Sequence, residues 1–172
     1  MLRMPNLPPM GDPVPAAPLP EGSLRGEIQS RAVKLLTTRE HSRLELARKL
    51  RRRGYPTPEI DAVLDALAAD DLLNEERLVS AYVTERLAKG FGPLRIRYEL
   101  REKGLSDDKI QPHLELADET ILECLRLAYR KRFGNDGICD RREQAKRSRF
   151  LAYRGFPNDL IARVLNADRA DE

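Results

Sequence analysis

From residue 24 onward, the apolar positions of the chain follow the spacing of amphipathic helices, and no alternating apolar run reaches five residues. Leucine, alanine, arginine and glutamate dominate these segments, whereas valine, isoleucine and aromatic residues are sparse. Both features favour helix over strand. We therefore predict an all-α protein with three leading helices, which span roughly Leu24–Thr37, Glu75–Lys89 and Glu119–Arg132.

A repeat with a spacing of 50 and then 51 residues places Gly54, Gly104 and Gly155 at equivalent positions. The three aligned segments are LELARKLRRRGYPTPEIDAVL, IRYELREKGLSDDKIQPHL and RSRFLAYRGFPNDLIARVL. The apolar positions that recur with the glycines are Leu50, Leu100 and Leu151, then Tyr55, Leu105 and Phe156, then Ile60, Ile110 and Ile161, and finally Leu64, Leu114 and Leu165. A period of this size is typical of tandem helical modules.

Each of these glycines is expected just beyond a helix, where the left-handed backbone conformation favours glycine. The apolar residue after the glycine and the leucine five positions before that residue match the hydrophobic contact of a Schellman helix end. Thr57, Asp107 and Asn158 follow the glycines by three positions and are the predicted N-caps of the next helices. The isoleucine and leucine after each of them are four residues apart, as on a core-facing helical stripe.

The pattern predicts three tandem three-helix modules that form an elongated, curved molecule. The expected boundaries are 24–73 for module 1, 74–117 for module 2 and 118–168 for module 3. Residues 1–23 are expected to be a disordered tail, because seven of the twelve prolines fall within the first 22 positions. Residues 169–172 are expected to be a C-terminal tail. In module 3 the segment FGNDGICD is expected to be an exposed loop between the first two helices.

The stretch KGFGPLRIRYELREKG, residues 89 to 104, sets two glycines before a run of arginines and raises the question of a phosphate-binding loop. No strand precedes it and no Lys-Ser or Lys-Thr pair follows, as a nucleotide-binding loop requires. Gly92 aligns with Ser42, which forms a predicted capping box with Glu45. We therefore predict that Gly90 ends one helix and that Gly92 and Pro93 begin the next.

Composition narrows the functional classes. The 172-residue chain is 41% apolar and has no run near 18 apolar residues, so we expect no membrane span. The cysteines Cys124 and Cys139 and the histidines His41 and His113 are too few for a zinc site, and we expect neither metal nor cofactor. Because the N-terminus lacks the features of a signal peptide, we expect a cytoplasmic protein with reduced cysteines.

Charge is distributed unevenly along the chain. Residues 126–154 contain ten basic and three acidic residues, a net charge of +7, whereas residues 57–76 contain seven acidic residues and no basic one. The second helix of every module is basic. Such asymmetry indicates a partner, although internal ion pairs between the second and third helices would also account for part of it.

Module 2 carries a sharper constellation. On a helical wheel Tyr98 lies with Arg97 and Arg101, beside Leu94 and opposite the apolar side, and a tyrosine between two guanidinium groups is typical of a contact surface. The alternative is that Tyr98 covers a neighbouring module. The second and third helices of a module also resemble a helix-turn-helix DNA-binding motif, in which the later helix enters the major groove. In modules 1 and 2 that third helix is acidic, so DNA phosphates would repel it. No histidine, serine or cysteine has a partner at catalytic spacing, so we expect no enzyme activity.

Residues 39 to 104, REHSRLELARKLRRRGYPTPEIDAVLDALAADDLLNEERLVSAYVTERLAKGFGPLRIRYELREKG, resemble the RecX family of bacterial recombinase regulators. The opening REHSR-EL, the middle pattern R-V-AYV--R---GFGP-RI--EL--KG and the three-module layout carry the resemblance, which covers roughly residues 25 to 167. This chain differs from the family in its long proline-rich N-terminal segment and its module 3 insertion.

The resemblance implies a cytoplasmic, monomeric protein of recombination, DNA repair and the SOS response. It implies binding to the RecA filament on single-stranded DNA and modulation, mainly inhibition, of RecA ATPase, strand exchange and coprotease activity. The alternative is a non-specific DNA-binding protein, for single- or double-stranded DNA, that competes with RecA for the strand; a third option is a scaffold for other partners. The expected partner-binding residues are Arg43, Arg48, Arg86, Lys89, Arg95, Arg97, Tyr98, Arg101, Lys103, Arg132, Arg141, Arg142, Lys146, Arg147 and Arg149.

Overall fold

The computed structural model describes residues 23–134 and 137–170, and the regular secondary structure in these ranges is entirely helical. The helices are α1 Leu24–Leu36, α2 Arg43–Arg51, α3 Thr57–Ala69, α4 Glu75–Ala88, α5 Pro93–Glu102, α6 Asp107–Leu114, α7 Asp118–Phe133, α8 Arg141–Tyr153 and α9 Asn158–Ala170. The all-α prediction is therefore confirmed. The expected N-terminal tail lies outside the described residues, apart from Ser23, and α9 continues two residues into the expected C-terminal tail.

The helices form three modules with three separate hydrophobic cores, from α1–α3, α4–α6 and α7–α9. Every pair of helices that packs extensively belongs to the same module. The leucines Leu50, Leu100 and Leu151 are fully buried, and the recurring isoleucines and leucines of α3, α6 and α9 are buried as well. The repeat predicted from the glycine register is confirmed, because its recurring apolar positions build three equivalent cores.

The turns between the second and third helices also follow the prediction. Gly54, Gly104 and Gly155 have φ angles of +87°, +85° and +88°. The Schellman hydrogen bond is present in modules 2 and 3, where the N–H groups of Leu105 and Phe156 donate to the carbonyls of Leu100 and Leu151 at 3.2 and 3.3 Å. These turns bring the third helix back across the second.

The predicted N-caps Thr57 and Asp107 are wrong by one residue. Pro56 and Ser106 occupy the N-cap positions with extended backbone, and the side chains of Thr57 and Asp107 already belong to the helices. In module 3, Asn158 is likewise the first residue of α9. The shift has a simple cause: one extended residue after the recurring apolar position suffices to redirect the chain.

The starts of α2 and α5 confirm the interpretation of the glycine-rich stretch. Ser42 and Glu45 form the capping box, with the two hydrogen bonds both 3.1 Å long. Gly92 is the N-cap of α5, Pro93 is its first residue, and Gly90 has a φ of +76° just beyond α4. The stretch is a junction between two helices.

Consecutive modules are joined in the same way twice. At the first joint the Ser42 hydroxyl donates to the carbonyl of Lys103 at 2.5 Å. At the second joint the Gly92 N–H donates to the carbonyl of Arg154 at 2.8 Å. Ser42 and Gly92 are equivalent N-caps, and Lys103 and Arg154 each precede the repeat glycine, so each joint seats a helix start on the next module's turn.

The repeat glycines also allow close approach at these joints. A Cβ on Gly155 would lie 2.3 Å from the backbone nitrogen and the Cβ of Arg95, and a Cβ on Gly104 would lie 2.5 Å from a methyl of Leu44. The space around Gly54, which no preceding module reaches, is open to 4 Å. Gly104 and Gly155 therefore serve two purposes, a left-handed turn and a contact between modules.

The module 3 insertion is less exposed than expected. Ile138 is buried in the module 3 core, and the Gly137 carbonyl accepts a hydrogen bond from Arg147 at 3.0 Å. Residues 135 and 136 lie outside the described ranges. None of the helices that the structure describes is both long and apolar enough to cross a membrane.

Candidate partner-binding surface

Many of the cations expected to bind a partner are neutralised within modules 1 and 2. Arg43 pairs with Asp65 at 2.7 Å, Arg101 pairs with Asp107, and Lys89 pairs with Glu85. Part of the charge contrast between the basic second helix and the acidic third helix is thus explained by ion pairs within the module, the alternative to a partner that the charge pattern left open. These exposed pairs contribute little stability, but their charge is partly cancelled.

Arg86 and Arg95 converge on one carboxylate. Both guanidinium groups donate to Oε1 of Glu99, and the Tyr82 hydroxyl donates to its Oε2 at 2.9 Å. Burial alone would raise the pKa of Glu99, but these hydrogen bonds hold it below its usual value. Burial and the bond to Glu99 raise the pKa of Tyr82 to about 12. Since Arg86 also stacks 3.7 Å from the ring centre of Phe91, it belongs mainly to the interior of module 2.

Arg147 does not lie on the surface. It is 1% exposed and donates to the Tyr129 hydroxyl, to the Gly137 carbonyl at 3.0 Å and to Glu143 at 2.8 Å. Its guanidinium carbon also lies 5.2 Å from the ring centre of Phe133. The expectation that Arg147 contacts a partner is therefore corrected: the sequence pattern of α8 could not show that this arginine points inward to satisfy buried polar groups.

Other predicted cations have no carboxylate partner among the described residues. They are Arg48, Arg97, Arg132, Arg141, Arg142, Lys146 and Arg149, and most of them are exposed. Lys103 differs, because its ammonium group crosses the first joint to Glu45 at 2.8 Å. Among the predicted partner-binding cations, those without a carboxylate partner are therefore concentrated in module 3, with one each in modules 1 and 2.

Four exposed residues of α8 form a line that we call the α8 stripe: Arg142, Lys146, Arg149 and Tyr153. Their spacings of four, three and four residues place them on one side of the helix. The helix is about 20 Å long, so the stripe presents three positive charges along its length. Tyr153, at its end, is 73% exposed.

The α8 stripe continues into module 2 through Arg95. Its guanidinium carbon lies 5.6 Å from the ring centre of Tyr153 and 5.8 Å from that of Tyr98. Tyr98 and Leu94 are 56% and 57% exposed. We call Leu94, Arg95, Tyr98 and Tyr153 the joint patch. Exposed apolar and aromatic groups beside arginine are frequent anchors of protein interfaces.

Sequence reasoning missed Tyr153 and did not place Arg95 beside Tyr98. The cation that lies over the Tyr98 ring is Arg95, and Arg101 is engaged by Asp107. The signal for Tyr153 was its position four residues after Arg149, on the same side of a helix. Its proximity to Arg95 depends on the docking of modules 2 and 3 and has no counterpart in the sequence pattern.

The histidines and cysteines are dispersed. His41 is 1% exposed, with Nδ1 2.9 Å from the Arg39 carbonyl and Nε2 2.7 Å from the Lys49 ammonium, while His113 contacts Glu76 in module 2. Burial raises the pKa of the Cys124 thiol. Within residues 23–134 and 137–170, no group of three or more histidine, cysteine, aspartate or glutamate residues is placed to hold a metal ion.

The fold and this surface define a tandem three-helix repeat protein whose exposed chemistry is cationic and aromatic. Family models for the first, second and third three-helix domains of RecX match residues 30–67, 74–114 and 118–165. The chain belongs to the RecX family. The models place one domain of the family on each of the three modules.

Curated relatives and solved structures agree. Regulatory protein RecX of Pseudomonas syringae pv. tomato is 40% identical over 145 residues, which cover 84% of this chain and 94% of that protein. The Pseudomonas fluorescens protein of the same name is 41% identical over the same length and coverage. A crystal structure of RecX from Lactobacillus salivarius superposes with a TM-score of 0.70 at 24% identity and covers 83% of this chain and 95% of that chain. The last comparison supports the fold.

Proposed function

We propose that this chain is a non-enzymatic regulator that binds the RecA filament on single-stranded DNA and mainly inhibits RecA ATPase, strand exchange and coprotease activity. Membership of the RecX family and the regulatory names of its relatives support this function. The protein acts as a cytoplasmic monomer. The contact is made through surface side chains, and no chemical step on RecA is involved.

The observation that carries the proposal is the continuity of the α8 stripe with the joint patch. Three unpaired cations lead to Tyr153, and Arg95 connects Tyr153 to Tyr98 in the neighbouring module. A surface of this kind suits a partner that combines acidic groups with apolar ones. A filament of RecA and DNA offers both protein side chains and phosphates.

The modular architecture favours binding along a filament groove. Each module carries helices of about 20 Å, so three modules in series could extend on the order of 60 Å and contact more than one subunit of a helical polymer. Several modest contacts on linked modules add to a strong overall attachment. A chain seated in the groove would impede strand entry and growth of the filament.

A titration of RecA ATPase on single-stranded DNA tests the proposal. The variant R142E/K146E/R149E removes the positive charge of the α8 stripe and changes the formal net charge from +3 to −3, since each reversal removes two charges. We expect the concentration for half-maximal inhibition to rise by about tenfold or more. The three residues are exposed, so the fold is retained.

The matched control is R51E/R52E/R53E at the end of α2. These arginines are exposed, have no ion pair among the described residues, and give the same net charge of −3 when reversed. We expect inhibition by this control to stay within about threefold of the native protein. An equal loss in both variants would mean that overall charge, and not the α8 stripe, governs inhibition.

In module 2, Arg97 is a cleaner test than Arg101. Reversal of Arg101 would place a carboxylate against Asp107 and disturb the α5–α6 turn, whereas Arg97 has no ion-pair partner among the described residues. We expect R97E to weaken inhibition of RecA ATPase with only a small loss of thermal stability, because Arg97 is close enough to Asp107 to help lower the pKa of that carboxyl. Unchanged inhibition would exclude a contribution from Arg97.

The exposed tyrosines favour a second candidate, non-specific binding to DNA with competition for the strand. Aromatic faces beside cations are the usual means of holding single-stranded nucleic acid. The two candidates separate when binding to bare single-stranded DNA and to preformed RecA filaments is compared at two salt concentrations. Strong binding to bare DNA with a steep salt dependence would favour the second candidate.

A further inference from the structure

A cleft opens between modules 2 and 3, at the end of α4 and along one side of α7. It encloses about 360 Å³ and borders two cores, because Ala128 belongs to the module 3 core and Leu87 packs against the module 2 core. Leu87, Leu127 and Ala128 supply its apolar lining, and Lys131 and Arg132 stand at its edge. We call it the α4–α7 cleft.

Part of the apolar lining is accessible through Leu127, whereas Ala128 is buried. Leu127 is 65% exposed, the highest value among the large aliphatic side chains of the described residues. The cleft is narrow where α4 ends, because the backbone of Gly90 comes close to Ala128. A Cβ added to Gly90 would lie only 3.1 Å from the Cβ of Ala128. An exposed leucine beside a concave apolar surface indicates a place where another apolar group can be buried.

The edge of the cleft is positively charged. Lys131 and Arg132 are exposed, and neither has an ion-pair partner among the described residues. Arg154 donates to the carbonyls of Lys89 and Gly90 at 3.0 and 3.2 Å. It thereby satisfies carbonyls at the end of α4 and offsets the negative end of that helix dipole. The balance of charge around the apolar lining is positive.

We propose that the α4–α7 cleft binds an acidic peptide segment that carries one aliphatic side chain. The aliphatic group is buried against Leu87, Leu127 and Ala128, and carboxylates on either side of it pair with Lys131 and Arg132. The occupant is a peptide and not a nucleic acid, because the described residues that line the cleft include no aromatic ring on which a base could stack. A phosphodiester chain has no aliphatic group for this lining.

Cys124 provides a reporter inside the cleft. Its side chain is half-buried and lines the cleft, whereas Cys139 is exposed and lies outside the lining. In the full chain with C139S, alkylation by monobromobimane therefore reports on Cys124 alone. The probe is a seven-residue peptide with a central leucine and three acidic residues on each side, labelled with fluorescein for anisotropy. Its control has serine in place of leucine.

We expect the leucine peptide to bind and to slow alkylation of Cys124. The serine peptide should bind roughly ten- to a hundredfold more weakly, as expected for the loss of one buried aliphatic side chain. The variant L127S should weaken the leucine peptide by about tenfold. The matched control L72S removes a leucine that is 45% exposed in module 1, and we expect no change. Circular dichroism verifies that both variants keep their helices.

Equal binding of the leucine and serine peptides would overturn the proposal, because attraction would then be charge alone. Equal binding to the L127S variant would place the peptide elsewhere and would overturn it too. Protection of Cys124 by a twenty-nucleotide oligothymidylate as strong as that by the peptide would assign the cleft to nucleic acid. The assay contains no RecA, so its outcome is independent of the proposed regulatory function.

Discussion

The hydroxyl of Ser42 donates a hydrogen bond to the carbonyl of Lys103, 61 residues further along the chain. The same oxygen accepts from the Glu45 N–H at 3.1 Å and caps α2. One side chain therefore satisfies an otherwise unpaired backbone N–H at the start of α2 and also connects two modules. Its equivalent at the second joint is the backbone N–H of Gly92, which reaches the carbonyl of Arg154 without any side chain.

Replacement of Ser42 tests the first joint. We expect S42A to lower the free energy of unfolding by about 2 kcal/mol, since it removes a helix cap and a hydrogen bond between modules. Ser23 is the matched control, because it caps α1 through the Gly26 N–H at 3.0 Å and has no described hydrogen bond to another module. S23A should cost about 1 kcal/mol or less in the same urea titration. Equal costs would show that the bond to Lys103 adds no stability.

Alanine at the repeat glycines separates backbone strain from contact between modules. Gly54 and Gly155 share almost the same φ angle, but only the second would bring its Cβ against a neighbouring backbone. We expect G54A to cost about 1 kcal/mol and G155A at least about 2 kcal/mol more. Hydrogen exchange at the Gly92 and Leu94 amides, which bond to the Arg154 and Gly155 carbonyls, should quicken only in G155A. Unchanged exchange in G155A would contradict the joint as described.

The carboxylate of Glu45 makes the free energy of unfolding depend on pH in the acid range. Burial would raise its pKa, but hydrogen bonds from Arg39, Lys103 and the Ser42 N–H lower the pKa from 4.5 to about 2. Because the folded value lies below the unfolded one, this stabilisation is complete above pH 4.5 and is lost as pH falls towards 2. We expect E45Q to lower the free energy of unfolding at pH 7 by roughly 2–3 kcal/mol and to flatten the pH dependence between 4.5 and 2.

The control for Glu45 is E85Q. Glu85 also pairs with a lysine, but its side chain is 56% exposed and the pair lies on one helix. We expect its replacement to leave stability nearly unchanged, because solvent screens an exposed ion pair. If E45Q and E85Q behaved alike in denaturant titrations at pH 7 and pH 3, the cross-module bond from Lys103 would not stabilise the fold.

Arg147 and Arg149 are two residues apart, but their replacement by alanine should have different effects, on stability for Arg147 and on inhibition of RecA for Arg149. We expect R147A to destabilise module 3 by about 3 kcal/mol or more, because it leaves the Tyr129 hydroxyl and the Gly137 carbonyl without this donor in the interior. R149A should keep the native stability within about 0.5 kcal/mol and weaken inhibition of RecA. Thermal unfolding and the ATPase titration measure the two effects. A stable R147A variant that fails to inhibit RecA would restore Arg147 to the binding surface.

Much of the fold was predictable because the residues at the helix ends, glycines at the C-termini and N-caps at the starts, can be recognised in the sequence. Gly54, Gly104 and Gly155 stop the second helices by backbone conformation, which depends on the residue itself. Ser42 and Gly92 start α2 and α5 by capping, which depends on a few neighbours in sequence. The N-caps of α3 and α6 were predicted one residue too late. The turn after the repeat glycine can contain either one or two extended residues before the next helix, and the sequence does not distinguish the two cases.

The candidate surface was less predictable, because it depends on what each charge meets in space. Arg43, Arg101 and Arg149 look alike as basic residues of second helices, yet the first two face carboxylates and the third does not. Arg147 lies inside the protein and Tyr153 outside it, although both belong to α8. The partner-binding role of the exposed residues stays a prediction for the experiments above.

By itself the sequence determined that the chain is helical, that it consists of three repeats, and which leucines and isoleucines form their cores. These properties follow from local backbone preferences and from the period of apolar residues, and both can be read along one dimension. Only the tertiary structure decided how modules meet, which arginines keep an unpaired charge, and that Arg95 lies between Tyr98 and Tyr153. The reason is physical: a charge or an aromatic ring acquires its role from groups within a few ångströms, and here those groups come from helices that are distant in sequence.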